Sequence, residues 1–327
     1  MSEKSPLDKM NPDIQPALEI EDEHSQAADG NPPKGTIRRA IDVIKGDIMP
    51  IFGLIIVLVF IFMAIFAPII APYDPDATFQ LMVEPNSYSE GDFSRDGEIE
   101  QKYHLLGTDS LGHDVLTRII FGSRISLLVA IGVVVFSFTI GTTIGMIAGY
   151  YGGWVDDLLM RYIDFQWAFP SLVIAVGVVA FLGGLGIQNV IIAIGLAYID
   201  DFARLIRGEV LSIREKEYIT AAKAIGMSDR RIMTNEIIPN AISPIIVQTT
   251  LMVPLAILGE ASLSFIGLGV SPDTPTWGLL IGQGRDFLTQ AWWVSIFPGL
   301  AIMIVVIGFN MFGDALRDTF GVEEVDK

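Results

Sequence analysis

Between Met49 and Ala71 the chain carries no charge for about 23 residues, enough at ~1.5 Å per residue to cross about 30 Å of hydrocarbon as one helix. That run constrains everything after it. Backbone groups in lipid must bond within their own segment, so a crossing chain is helical wherever it crosses. The run lies too deep in the chain, and is too long, for a cleaved signal peptide. Pro68 and Pro72 end it before Tyr73-Asp74-Pro75. Further apolar runs extend from Ile125 to Ala148, from Phe165 to Leu185, from Ile237 to Leu258 and from Trp292 to Phe312. Another begins near Ile187, after a tight turn at Gly183-Gly184, and is cut short by Asp200, Asp201 and Arg204. The Trp292-Trp293 pair reads as an interfacial anchor. The expected fold class is all-α: a polytopic membrane protein of about six transmembrane helices, or five if the interrupted fourth run does not cross.

Composition agrees. Of 327 residues 51% are hydrophobic and 18% charged, with a mean hydropathy of +0.51, whereas a soluble domain sits near ~25% charged. The absence of cysteine excludes disulfides, thiolate metal sites and a cysteine nucleophile. His24, His104 and His113 are too scattered for a zinc constellation. A net charge of −17 leaves no basic face for nucleic acid. No phosphate-binding loop, nucleophile elbow or His-Glu-x-x-His helix occurs. The chain is therefore expected to bind no cofactor or metal and to hold no catalytic residue. The surplus of acid reads as solvated surface charge, or, in the sharper reading, as adaptation to a high-salt medium.

Residues 1–47 read as a disordered acidic tail, 48–318 as the transmembrane domain and 319–327 as a short C-terminal tail. Orientation follows from Lys and Arg in short loops. The segment 73–116 after the first run has only Arg95 and Lys102 beside many acids, so the outer loop, taken as 73–124, is expected outside. The segment 207–236 holds Arg207, Arg214, Lys216, Lys223, Arg230 and Arg231, so it is expected in the cytoplasm, together with both termini and the basic Lys34, Arg38, Arg39 and Lys45. Leu111, Val115 and Ile119 recur every fourth residue, which predicts an interfacial helix over Asp109–Phe121. Gly141, Gly145 and Gly149 share one face of the second span and read as a helix-packing stripe.

The loop from Glu217 to Asn240 reads as two short helices. The first ends at Gly226, a natural left-handed position. Ser228 is placed to cap the second, with Asp229 in its first turn, and Pro239 opens the fifth span. Ala221 and Ala222 keep the first helix thin enough to enter a groove, and Tyr218, Ile225, Ile232 and Met233 are expected to present an apolar face. Spacing alone leaves open a loop helix resting on the membrane.

The pattern Glu217-x3-Ala221-Ala222-x3-Gly226, with Pro239 thirteen residues on, resembles the loop signature of binding-protein-dependent ABC importer permeases. His104-Leu-Leu-Gly-Thr-Asp-Ser-Leu-Gly-His-Asp-Val-Leu-Thr-Arg118, Gly149-Tyr-Tyr-Gly-Gly-Trp-Val-Asp156, Glu260-Ala-Ser-Leu-Ser-Phe-Ile-Gly-Leu-Gly269 and Asn310-Met-Phe-Gly-Asp-Ala-Leu-Arg-Asp318 resemble the dipeptide/oligopeptide/nickel branch, closest to its C-type permease, over roughly Pro50 to Asp318. His113 stands where that branch usually has Arg, Glu236 where it often has His, and Asp200-Asp201 is unusual there.

The resemblance implies a multi-pass plasma-membrane subunit working with a second homologous permease, two ABC ATPase subunits that use ATP and Mg, and an extracellular substrate-binding protein. Residues 217–235 would be coupling helices seated in an ATPase cleft, with Glu217, Tyr218, Ala221, Ala222, Gly226, Ser228, Asp229 and Pro239 as the candidate coupling residues. Asp109, Gly112 and Asp114 are candidates for an outer rim on which the binding protein lands. Peptides are the default substrate from resemblance, with nickel or oligosaccharides as alternatives. A passive channel needs a polar stripe along several spans, and an intramembrane enzyme a buried catalytic pair. Neither is visible.

Overall fold

The computed structural model describes residues 48–93 and 99–320; the expected tail 1–47 and the last residues, 321–327, lie outside the described residues. Four helical runs are long and apolar enough to cross a membrane, and a bent pair makes a fifth. Helix α1 (Met49–Ile70) has 22 residues and ends within a turn of Pro68. Its outward side chains are apolar, with Phe62 53% and Ile69 79% exposed, as expected for a surface that meets lipid. Its inner face packs on the last helix, where Gly53 and Gly308 bring the two backbones together.

Helix α2 (Val115–Tyr151) has 37 residues, well beyond the expected Ile125–Ala148. The predicted interfacial helix over Asp109–Phe121 does not form. Asp114 instead caps α2, accepting from Thr117 N at 2.8 Å and from Thr117 Oγ1 at 2.7 Å. Val115 and Ile119, expected at the interface, are buried in its first turns.

The third run is broken. Helix α3 (Gly153–Trp167) and helix α4 (Ser171–Leu182) meet at a bend of 94°. Pro170, which has no N–H to donate and disfavours helix in the residue before it, explains the break. Helix α5 (Ile187–Ala197) has only 11 residues; Tyr198, outside helical geometry, separates it from α6 (Ile199–Arg214). Together α5 and α6 follow α2 in parallel. Gly132 meets Ile191, Ser137 Oγ donates to Gly195 O at 2.9 Å, and Gly141, Gly145 and Gly149 face Phe202, Ala203 and Val210 in turn. Helix α3 returns antiparallel to α6, with Asp156 against Arg207 and Asp164 against Arg204.

Two short helices, α7 (Glu217–Ala224) and α8 (Asp229–Ile232), lead through a π-helical turn (Met233–Ile237) and a 3₁₀ turn (Ile238–Ala241) into α9 (Ile242–Phe265). Pro239 therefore sits in the 3₁₀ turn before the fifth span rather than at its start. Helix α10 (Trp277–Gly284) is short, and α11 (Trp293–Phe320) runs past the expected end at Phe312. Of the expected tryptophan anchor only Trp292 is exposed, at 49%. Trp293 is buried and donates Nε1 to Thr108 O at 3.0 Å. Trp277 is also buried and donates Nε1 to Ile119 O at 2.9 Å.

The segment between α1 and α2 contains an antiparallel hairpin, β1 (Ser87–Phe93) with β2 (Ile99–His104), pairing Ser87 with His104 and Tyr88 with Tyr103. The all-α expectation holds for the membrane part and misses this hairpin. A two-stranded hairpin is marginal alone, and here it is tied down at its base by His104.

Candidate functional site

At the end of the bundle opposite the hairpin, α7 and α8 form a knob. Helix α7 stops for a backbone reason. Gly226 has φ +79°, its N–H donates to Lys223 O at 3.0 Å and the next N–H, of Met227, donates to Ala222 O at 3.1 Å. These two bonds are a Schellman cap, which satisfies carbonyls that a helix end otherwise leaves open. Glu217 stands in the first turn of α7 and Asp229 in that of α8, where carboxylates oppose the helix dipole favourably. Ser228 occupies the N-cap position of α8, but its side chain makes no capping bond. The expectation of a hydroxyl cap is corrected to a purely backbone start.

The knob has an inner and an outer face. Ile219, Ala222, Ile232 and Ile237 are buried in a cluster with Ile206, Val210 and Ile213 of α6. Ala222 and Ile232, expected to face a partner, therefore anchor the knob to the bundle. A helix lying on a core must turn one apolar stripe inward, and these residues make that stripe. Glu217, Ala221, Gly226, Ser228, Asp229 and Pro239 are exposed, as are Tyr218 at 39% and Ile225 at 79%.

Polar contacts fasten the knob to α2, and the helix that supports it, α6, to α2 and α3. Tyr150 donates its hydroxyl to Asp229 Oδ1 at 2.7 Å, and Lys223 Nζ lies 5.2 Å from the centre of the Tyr150 ring. Arg214 Nη1 donates to Gly149 O at 2.7 Å, filling a carbonyl at the α2 terminus. Arg207 grips Asp156 with two bonds, Nε to Oδ1 at 2.6 Å and Nη2 to Oδ2 at 2.7 Å. Such forked pairs fix orientation as well as distance. Sequence reasoning chose residues within the loop, buried as well as exposed, read Arg207 and Arg214 only as markers of orientation, and missed Tyr150. The 79 residues between Tyr150 and Asp229 leave no local pattern to read.

Gly141, Gly145 and Gly149 are buried along α2. A methyl on Gly141 would lie 2.6 Å from Ile199 O, and one on Gly145 would collide with Ala203 O. The stripe lets the two backbones touch.

At the hairpin end, the candidate rim residues Asp109, Gly112 and Asp114 are all buried. Asp109 Oδ1 accepts from Leu111 N and His113 N, both at 2.8 Å, folding its own turn. Gly112, at φ +85°, lies against Phe79 O. His104 Nδ1 donates to Asp114 Oδ1 at 2.7 Å, and the Ser89 hydroxyl lies 2.6 Å from His104 Nε2. Burial and the Asp114 charge push the Tyr73 phenol above its ordinary range. These residues are the staples of the outer segment rather than its contact surface. The surface they leave outward includes Tyr88 at 65%, Leu105 at 47% and Leu111 at 52% exposed.

Among the described residues no group of three or more His, Asp or Glu side chains is arranged to hold a metal. Glu260 is fully buried in the last turns of α9 and accepts from Ser264 Oγ at 2.6 Å.

Comparison with known proteins fits this geometry. Residues 141–321 match the family model of the binding-protein-dependent transport system inner membrane component. Residues 38–87 match the N-terminal transmembrane domain of oligopeptide transport permease C. The dipeptide transport system permease protein DppC of Alkalihalophilus pseudofirmus is 44% identical over 86% of this chain and 88% of its own. The di/tripeptide transport system permease protein DppC of Pseudomonas aeruginosa is 42% identical over 81% and 85%, and the glutathione transport system permease protein GsiD of Pectobacterium atrosepticum 40% over 80% and 83%. The inward-facing MetNI methionine ABC transporter shares the fold, with a TM-score of 0.51 at 17% identity, over 62% of this chain and 96% of its own. A helical bundle with a capped knob at one end and relatives of this similarity over most of its length leads to one assignment: the chain belongs to the inner membrane components of binding-protein-dependent transport systems, as a permease subunit of an ABC importer.

Proposed function

We propose that this permease subunit imports short peptides and is driven through the α7–α8 knob by ATPase subunits that supply the ATP and Mg chemistry. The observation that carries the reading is the knob itself: its inner face is buried in the bundle while Ile225 stands 79% exposed at its apex. An exposed apolar apex on a rigidly capped elbow fits insertion into a partner's groove. The basic side chains around it favour a cytoplasmic position for that end under the positive-inside rule, and for both termini with it. The chain then crosses six times, α3–α4 forming one broken crossing and α5–α6 another.

A second homologous permease completes the translocation path, and closure of the ATPase pair rocks the bundle between two packings. Peptides rather than nickel or oligosaccharides are favoured because relatives above 40% identity are named as dipeptide and di/tripeptide permeases. The test is a cysteine at Ile225 cross-linked in the assembled complex, together with ATP-driven peptide uptake in vesicles. Cross-linking to an ATPase subunit, with uptake lost on linkage, is expected. An Ile225→Cys complex that transports peptides and shows no ATPase adduct would remove the coupling role.

A further inference from the structure

We propose that the cleft beside the α3–α4 bend binds a primary ammonium group, that of the N-terminus of a peptide in transit. The peptide assignment rests on the reading above; the ammonium site rests on the cleft alone. Two cavities adjoin there and share Ser171, Ala197 and Tyr198. One, of about 220 Å³, lies between α4, α5 and α9, with Leu172, Ala175, Ile194 and Leu255 in its wall. The other, of about 470 Å³, is lined by Gln166, Trp167, Phe169, Tyr198, Asp200 and Asp201. The bend at Ala168–Pro170 creates this space, because α4 leaves the line of α3 at 94°.

The charges in the cleft are only partly balanced from within: Asp200 and Asp201 stand in the first turn of α6, where the helix dipole and its free N–H groups offset part of their charge. Asp200 is 7% exposed and takes a side-chain bond at 3.2 Å from Gln166 Nε2, whose shorter bond, at 2.9 Å, goes to Leu196 O. Among the described residues the Asp201 side chain has no hydrogen-bond or ion-pair partner. The cation in reach is Arg204, and it is committed elsewhere. Its Nη2 donates to Asp164 Oδ1 at 3.0 Å and its guanidinium lies 4.7 Å from the centre of the Trp167 ring. Two successive carboxylates thus border a partly enclosed cavity inside a membrane bundle, with Arg204 acting on them only through space and forming its ion pair with Asp164 instead. Charge in that setting is unfavourable unless a partner arrives.

The lining decides which cation. Phe169 and Tyr198 add aromatic rings to the lining, which attract an organic ammonium more than a hydrated metal ion. The donor set also lacks the third acid or histidine of a metal-binding group. Such a head group carries three N–H donors, which the two neighbouring carboxylates can share, and the apolar cavity alongside takes the side chain next to it.

The test uses the assembled importer in phosphatidylglycerol vesicles, whose lipids carry no amine. Binding of trialanine and N-acetyl-trialanine, without the binding protein, is followed by saturation-transfer NMR; uptake of both is then measured with the binding protein present. Trialanine is expected to bind about tenfold more tightly than its acetylated form, the loss expected for one charge-assisted contact. Methylammonium should displace it. Asp201→Asn should erase the preference and Asp201→Glu retain it. Equal binding of the two peptides by the unaltered complex, or failure of methylammonium to compete, overturns the proposal without any variant. An Asp201→Asn complex that keeps the preference, or one that loses both peptides equally, also overturns it. If phosphatidylethanolamine abolishes trialanine binding, the cleft belongs to lipid and the peptide assignment falls. An ammonium preference without uptake of any peptide retires the transport reading and leaves the site standing.

Discussion

The Tyr150 hydroxyl at the end of α2 donates to Asp229 Oδ1 in the first turn of α8 at 2.7 Å. One bond thus joins the longest span to the knob, across 79 residues of sequence. If the knob moves, this bond and the buried cluster the knob shares with α6 are the contacts through which the movement would reach the spans.

Tyr150→Phe removes the bond and keeps the ring under Lys223. The bundle should assemble with unaltered yield, while uptake per ATP hydrolysed falls several-fold. Both rates are measured on the same reconstituted complex; a preserved ratio would show that the bond does not transmit motion.

Gly145 and Gly226 should separate packing from coupling. Gly145→Ala drives a methyl into the Ala203 carbonyl, at a cost of about 1–3 kcal/mol for overpacking, and should lower the melting temperature of the purified complex. Gly226→Leu meets no atom within 4 Å of its Cβ, and its strain is limited to the left-handed backbone, about 1–2 kcal/mol. It should melt no lower than Gly145→Ala and transport poorly. The reverse order of melting temperatures would refute this division.

His104→Ala strands Asp114, which keeps its bonds to Thr117 but loses its buried ring partner. Leaving a buried acceptor unmet costs about 1–3 kcal/mol. The segment from Tyr73 to Asp114 should be cut faster by protease, and the binding protein should dock more weakly. The time course of limited proteolysis is the direct readout.

The Arg207–Asp156 fork is suited to a double-mutant cycle. Each single alanine variant should destabilise the α3–α6 contact, and the pair together should cost less than the sum, with a coupling energy of about 1 kcal/mol for a part-exposed forked pair. Additive effects on the melting temperature would mean that solvent has already screened the pair.

The uncharged run Met49–Ala71 and its later counterparts determined by themselves that this chain is a helical membrane protein. Lipid offers the backbone no hydrogen bonds, so length without charge is nearly sufficient evidence for a helix. Gly226 was legible as a helix stop for an equally local reason, since the conformation it adopts is open chiefly to glycine. Tertiary structure alone decided which way each side chain turned. Ala222 and Ile232 look as available as Ile225 in sequence, yet α6 covers the first two and leaves the third bare. Asp109 and Asp114 read as an acidic rim but fold inward, because their carboxylates satisfy backbone N–H groups of their own turn and the cap of α2. The hairpin, the 94° bend and the Tyr150–Asp229 bond depend on contacts between distant residues, and no spacing rule along the chain records which distant surfaces will meet.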